Sequence, residues 1–196
     1  SYVPIDNDVL LVQGLTLGTF KEIFGRVLEH KKPIKCGYDT KYMKHVFANV
    51  GINLAGVSDD VMLESYVLEA HRSHTIEKLA ANWLKYELRG EEELLGKGAK
   101  KLSFSQVSVE KAAEFASERV FIVSRLNRLF KKALSDDAKL EKIYRDIEMP
   151  LSDVLFKMEQ NGVLIDTKLL DQQTAQLNTK ARELEEQAFE VAGENF

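Results

Sequence analysis

Cysteine is almost missing from this chain: Cys36 stands alone among 196 residues. One thiol cannot build an intrachain disulfide framework, and its place in the run Ile34-Lys35-Cys36 favours a small buried residue over a reactive one. There is no run of about 18 apolar residues, so no membrane-spanning helix is expected. The first residues, Ser1-Tyr2-Val3-Pro4-Ile5, show neither an initiator Met nor a signal-peptide pattern, and the chain is expected to be cut from something longer. A strong net charge is missing too: the formal value of −4 gives no overall pull toward nucleic acid.

The residues that are present can fold. Apolar residues make up 44% and charged residues 30%, enough for a core, and the length fits one domain or one and a fraction. Charge is uneven. Residues 97–145 hold 12 Lys and Arg against 6 Asp and Glu, whereas 166–196 hold 3 against 7. The basic middle either faces phosphates or is a solvated helix surface, since acidic residues interrupt it.

Residues 1–14 read as irregular or weakly extended. Residues 16–30 are predicted helical, with Phe20, Ile23, Phe24, Val27 and Leu28 on one stripe, ending at Lys32-Pro33 because the residue before proline avoids helical geometry. Residues 34–37 form a strand candidate. Asp39 or Thr40 caps a helix carrying Met43, Val46, Phe47 and Val50. Residues 54–57 are a second extended run, and Ser58-Asp59-Asp60 offers caps for a helix through Met62, Leu63, Tyr66, Val67 and Ala70. After a polar turn at residues 71–74 comes a helix through Ile76, Leu79, Ala80, Trp83 and Leu84. Residues 91–95 form a short helix and 96–101 a flexible basic loop. Ser108 caps a long helix whose predicted buried stripe is Val109, Ala112, Ala113, Ala116, Val120, Val123, Phe130 and Leu134. Asp136 or Asp137 caps the next, and Pro150 predicts a kink or break.

The stretch 147–166 organises the chain as a seam between two parts. Leu151, Val154, Leu155 and Met158 recur at helical spacing, Asn161-Gly162 stops the helix, Val163-Leu164-Ile165 links, and Asp166 caps a thinly apolar helix to about residue 192. Strand–helix alternation followed by helices alone predicts an α/β layer with an all-helical continuation. The visible strands are too few for an independent sheet, so further strands are expected upstream.

Several blocks, in order, carry a resemblance. They are I-E-M-P-L…N-G-V-x-I-D at 147–166, D-V-M-L-E-S-Y-V-L at 60–68, H-T-I-E-K-L-A-A-N-W-L at 74–84, G-K-G…L-S-F at 96–104, and Tyr2-Val3-Pro4. Together they resemble the bacterial DNA polymerase I family of family A polymerases, across essentially the whole chain. The resemblance implies a ribonuclease H-like 3′–5′ exonuclease domain lacking its N-terminal strands at residues 1–146, then a linker helix and the start of an all-helical polymerase thumb at 147–196.

Exonucleases of that family use four carboxylates and a tyrosine around two divalent metals, one activating water and one stabilising the leaving oxygen. The early D-x-E motif is expected upstream of Ser1. The second motif, an Asn followed shortly by Y-D, reads D-T-K-Y-M here, with Asp39 at the Asn, Tyr42 at the aromatic and Met43 at the metal carboxylate. The Y-x-x-x-D motif reads F-A-S-E-R, with Phe115 at the tyrosine and Arg119 at the aspartate. Met43 cannot hold Mg²⁺, Phe115 lacks the hydroxyl, and Arg119 would repel a metal. The expectation is a degenerate site with no intact catalytic residue. Arg119 is expected to replace metal charge by pairing with Asp39 or Glu118. The alternative is a shifted site built on Asp39 and Glu118.

His71 and His74 with Asp59 and Asp60 match no metal-ligand spacing and read as turn and caps. Gly96-Lys97-Gly98 lacks the frame of a phosphate loop. Trp83 reads as core; Tyr42 and Tyr66 either stack a base or are buried, burial being favoured. The implied function is part of a DNA-directed DNA polymerase acting in replication and repair, with Mg²⁺ needed only in a polymerase domain outside this chain. Its partners would be DNA and the remaining polymerase domains, in the bacterial cytoplasm near the nucleoid. A non-catalytic DNA-binding or interaction domain, and a divergent but active 3′–5′ exonuclease, are the alternatives.

Overall fold

The computed structural model describes residues 16–98 and 101–194; the expectations for residues 1–14 and for part of the 96–101 loop lie outside these. Helix α1 (Leu17–Glu29) starts at Thr16, whose hydroxyl accepts from the Thr19 N–H. Strand β1 (Lys35–Gly37) leads into α2 (Thr40–Asn49), and β2 (Val57–Asp60) into α3 (Val61–Leu68). The two strands pair in parallel, with Cys36 opposite Asp59 and Gly37 opposite Asp60. The second strand thus sits three residues later than the extended run expected at 54–57. Its two acids belong to the ladder, because each finds partners in the interior.

Helix α4 (Ile76–Leu79) widens into a π turn (Ala80–Leu84), and a short α5 (Glu91–Leu95) follows. Helix α6 (Val109–Ser135), capped by Ser108, forms the spine. Its buried residues are Phe115, Ile122, Leu126, Phe130 and Leu134. The expected stripe was partly wrong: Val109 and Val120 are exposed, the latter at 69%. Counting in fours toward the N-terminus from Leu134 gives Phe130, Leu126 and Ile122, the ridge along which helices interdigitate. Those residues, Leu134 apart, join Val61, Ile76, Leu79, Ala80 and Leu88 in one core, with Trp83 set edge-on to Phe130 at 5.0 Å.

Helix α7 (Ala138–Ile143) is capped by Asp137 and continues through a π turn (Tyr144–Glu148) into α8 (Met149–Asn161). Of the kink or break expected at Pro150, no break occurs: the helix runs on through a wide turn. That turn, just ahead of Pro150, where the Met149 N–H reaches back to the Tyr144 carbonyl, absorbs the missing proline donor. The α8 residues expected to be apolar anchors, Leu151, Val154, Leu155 and Met158, are exposed, while Ser152 is buried. Lys41 and His45 of α2 pair with Glu159 of α8, and Lys44 pairs with Asp153.

By contacts the chain divides into Ser1–Gln160 and Asn161–Phe196. The second unit holds α9 (Thr167–Ala192), capped by Asp166 and closed by Gly193 in the left-handed region. Among the described residues no helix is long and apolar enough to cross a membrane.

Candidate active site

The turn between β1 and α2 sets the geometry. Asp39 adopts a left-handed conformation, φ 52°, ψ 59°, which Asp tolerates better than most residues, and its carboxylate accepts from the Tyr42 N–H at 3.3 Å. That turn is held from outside by Asp60. The Asp60 carboxylate accepts from the Thr40 N–H at 2.6 Å, the Thr40 hydroxyl at 2.8 Å and the Asp39 N–H at 3.1 Å. It also caps α3 through the Met62 and Leu63 N–H groups. The Asp60 N–H in turn donates to the Tyr144 hydroxyl at 2.9 Å. One buried carboxylate therefore fixes where α2 begins, and so where Met43 points.

Met43 lies over Gly37: a Cβ there would stand 3.0 Å from the Met43 sulfur and 2.8 Å from Thr40 Cγ2. Across from it stands Arg119. Both line an open cleft of about 460 Å³, with Gly37, Tyr38, Val120 and Val123 among its walls. The guanidinium of Arg119 stacks on the Phe115 ring, 3.5 Å from its centroid. It donates to Glu77 at 3.0 Å and to the Arg89 carbonyl at 3.0 Å. Desolvation lowers the Arg119 pKa below its ordinary value, and Glu77 opposes that shift.

This corrects the expected pairing of Arg119 with Asp39 or Glu118. Glu118 turns away: it accepts from the Tyr86 hydroxyl at 2.6 Å and from Arg89 at 3.1 Å, and the Tyr86 bond is the first cause of its lowered pKa. Asp39 lines a separate cavity of about 80 Å³ with Asp60, Glu148 and Ser152. The structure thus brings Met43 and Arg119 to one cleft, with Phe115 behind Arg119 and outside the lining, and leaves Asp39 and Glu118 outside as well. Tyr38 lines the cleft, but its hydroxyl donates to the His74 carbonyl at 2.9 Å. Burial, then the charge of Asp39, pushes its pKa up to about 12, so it is no substitute for the hydroxyl absent at Phe115.

The donors present do not fit a hard divalent cation. A thioether is a weak, soft ligand and a guanidinium is positive, whereas Mg²⁺ takes oxygen ligands. Among the described residues no three His, Cys, Asp or Glu stand grouped to hold a metal. His74 is engaged with Ser65 at 2.9 Å rather than with Asp59 or Asp60.

Sequence reasoning missed a buried acidic network beside this cleft. Asp59, Asp60 and Glu64 are all at most 1% exposed. Lys131 and Arg145 stand 2.7 and 2.9 Å from the Asp59 carboxylate, whose pKa is lowered: burial opposes this, and the Lys131 bond leads the lowering. Glu64 accepts only from Asn127, at 2.9 Å, and its second oxygen has no partner among the described residues. Burial pushes its pKa up to about 8. Two corrections concern exposure. Cys36 is exposed rather than buried, and desolvation by its neighbours, then the field of Glu64, pushes its thiol up to about 12, which keeps it unreactive. Tyr66 is 45% exposed and meets His74 edge-on.

Known proteins resemble this chain in sequence and in fold. Residues 15–126 match the family model described as DNA polymerase I, ribonuclease H-like domain. The chain is 36% identical to DNA polymerase I of Pseudomonas aeruginosa, over 100% of this chain and 22% of that protein. It is 31% identical to DNA polymerase I of Synechocystis sp., over 100% of this chain and 20% of that protein. The chain therefore spans about a fifth of the length of these curated relatives. A solved structure, the POL domain of Pol1 from M. smegmatis in complex with DNA primer-template and dNTP, superposes with a TM-score of 0.69 at 23% identity, covering 91% of this chain and 28% of that one.

Proposed function

Because the chain belongs to the DNA polymerase I family through its ribonuclease H-like domain, we propose that it is a segment of a DNA-directed DNA polymerase in which this domain acts as a scaffold and removes no nucleotides. The supporting observation is the pair Met43 and Arg119 in one cleft, at positions where the family resemblance puts metal carboxylates. The guanidinium is already engaged with Glu77, the Arg89 carbonyl and Phe115. In this reading residues 1–146 are the exonuclease-like domain, α8 is the linker and α9 begins the thumb. Polymerisation, its Mg²⁺ and the main DNA grip belong to the rest of the parent protein, in the bacterial cytoplasm near the nucleoid.

The test is a 3′-end trimming assay on labelled single-stranded DNA with Mg²⁺ or Mn²⁺. The chain is expected to leave the strand intact, and the parent protein to extend a matched primer while failing to trim a mismatched one. Release of mononucleotides that disappears in Asp39→Ala would sink the scaffold reading. A second reading, nucleotide binding without cleavage, is favoured by the largely apolar cleft, whose volume falls in the range of small-ligand sites. Saturable binding of a deoxynucleoside monophosphate without hydrolysis would support it.

A further inference from the structure

Of the Lys and Arg residues in the basic middle of the chain, only Arg119 lines the cleft that holds Met43. In the folded chain its charges sort themselves. Glu114 and Glu118, on the first half of α6, are held by Arg89 at 3.5 and 3.1 Å. From residue 119 to 135 the helix then carries five Lys and Arg and no acid. Arg119 turns inward to Glu77, and Arg125 lies over Phe121. The remaining three, Arg128, Lys131 and Lys132, lie on the C-terminal half of α6.

There a second cavity of about 490 Å³ opens, lined by Lys131, Lys132 and Ser135 of α6 and by Glu141, Tyr144 and Arg145 beyond it. Lys131 and Arg145 both rest on the buried Asp59, and Arg145 also donates to the Ser58 carbonyl at 2.7 Å. That arrangement fixes two cations in place with one carboxylate beneath them. Their side chains remain 41% and 39% exposed, so each keeps a face toward solvent. Glu141 is the one acid on the lining, against three cations, and Asp59 lies under the floor. Lys132 has no ion-pair partner among the described residues, nor do Arg128, Lys139 and Lys142 nearby in sequence. Preorganised cations in a concave site, short of anions, suit a phosphate.

We propose that this cleft binds the phosphodiester backbone of a nucleic-acid strand. Arg128, outside the lining, lies one turn before Lys132 on α6 and extends the basic face, so that from Arg128 to Ser135 it runs about 10 Å along the helix, more than a single phosphate covers. The proposal rests on the reading of the chain as part of a DNA polymerase, but it needs neither the presence nor the loss of exonuclease activity.

The experiment titrates the 196-residue chain against fluorescently labelled single-stranded DNA, by anisotropy, between about 50 and 200 mM salt. Lys132→Gln and Arg128→Gln leave the Asp59 contacts intact. Each is expected to weaken binding and to flatten the slope of log K against log salt by about 0.7. Lys111→Gln, an exposed lysine on the first turns of the same helix, is expected to leave the slope unchanged. Wild-type slopes in both Lys132→Gln and Arg128→Gln, or an equal loss in Lys111→Gln, would overturn the assignment. So would equal competition by poly-glutamate, which carries charge without phosphates. Because the readout is binding, failure here is distinct from failure of the scaffold reading, which is judged by strand trimming.

Discussion

Glu64→Gln should make the chain more stable in mild base than the wild type, while leaving the two proteins close in mild acid. Glu64 is fully buried on α3, with one oxygen bonded to Asn127 and the other without a partner among the described residues. Burial raises its pKa from 4.5 to about 8; Asn127 opposes that shift and Asp59 adds to it. The sign follows from proton linkage. Between those two values the unfolded chain releases the Glu64 proton and the folded chain keeps it. Stability therefore declines as pH rises through that window, and levels off above the folded value. At roughly 1.4 kcal/mol per unit, the shift sets an upper bound of about 5 kcal/mol on the loss, which local rearrangement or entering water would reduce. Gln has nearly the same shape and no proton to lose. Urea unfolding followed by Trp83 fluorescence, at matched pH values from about 5 to 9, isolates the term because all other titrations cancel in the difference. The variant's advantage should grow with pH and then level off. A constant offset between the two curves would show that Glu64 is not a buried neutral acid.

Substitutions at three further positions test the site's supports. Arg119→Ala loses the Glu77 pair, the bond to Arg89 and the stack on Phe115, and should cost about 2 kcal/mol in urea midpoint measurements. Arg119→Lys should restore little of it, since an ammonium cannot reproduce the fork and the stack. Gly37→Ala places a methyl against Thr40 and the Met43 sulfur; Thr40 is pinned by Asp60, so the strain should cost about 1–3 kcal/mol by the same measurement. Asp60→Asn turns donors toward N–H groups that now meet a carboxylate. It should cost about 2–3 kcal/mol and loosen amide-exchange protection at Thr40.

Local chemistry was the legible part of this fold. Asp39, Ser108, Asp137 and Asp166 are all caps, as their residue types predict, and Gly193 closes α9. These depend on neighbours within a few residues. The misreadings came where distant partners decide. Asp59 can sit in a strand interior because Lys131 and Arg145, far along the chain, neutralise it. Nothing near Glu64 in sequence announces Asn127. On α6 the helical period alone admits two apolar stripes. The choice between them is made by α3, α4 and the π turn packed alongside, whose ridge meets Ile122, Leu126 and Phe130. The cleft was half legible: of the positions named from the sequence Met43 and Arg119 line it while Asp39, Tyr42 and Phe115 do not, and the partner of Arg119 was missed because Glu77 lies 42 positions away.

The way Arg119 is held also says why its position resists a carboxylate. Its charge sits against a ring and a valine wall, where an unpaired cation would be costly. Three contacts offset this: Phe115 one turn earlier on α6, Glu77 on α4, and the carbonyl of Arg89 ahead of α5. Met43, across the cleft, is packed on Gly37 and answers to the α2 turn instead. The two sides of the cleft are thus stabilised by separate neighbours, with no shared ion needed between them. Arg119→Asp would bring a carboxylate toward Glu77 and leave the Arg89 carbonyl facing an acceptor. The stability order should therefore be wild type, then Arg119→Ala, then Arg119→Asp. If the Asp variant proved as stable as the Ala variant, Glu77 would not be the group that fixes Arg119, and the ion pair would have no part in holding this wall.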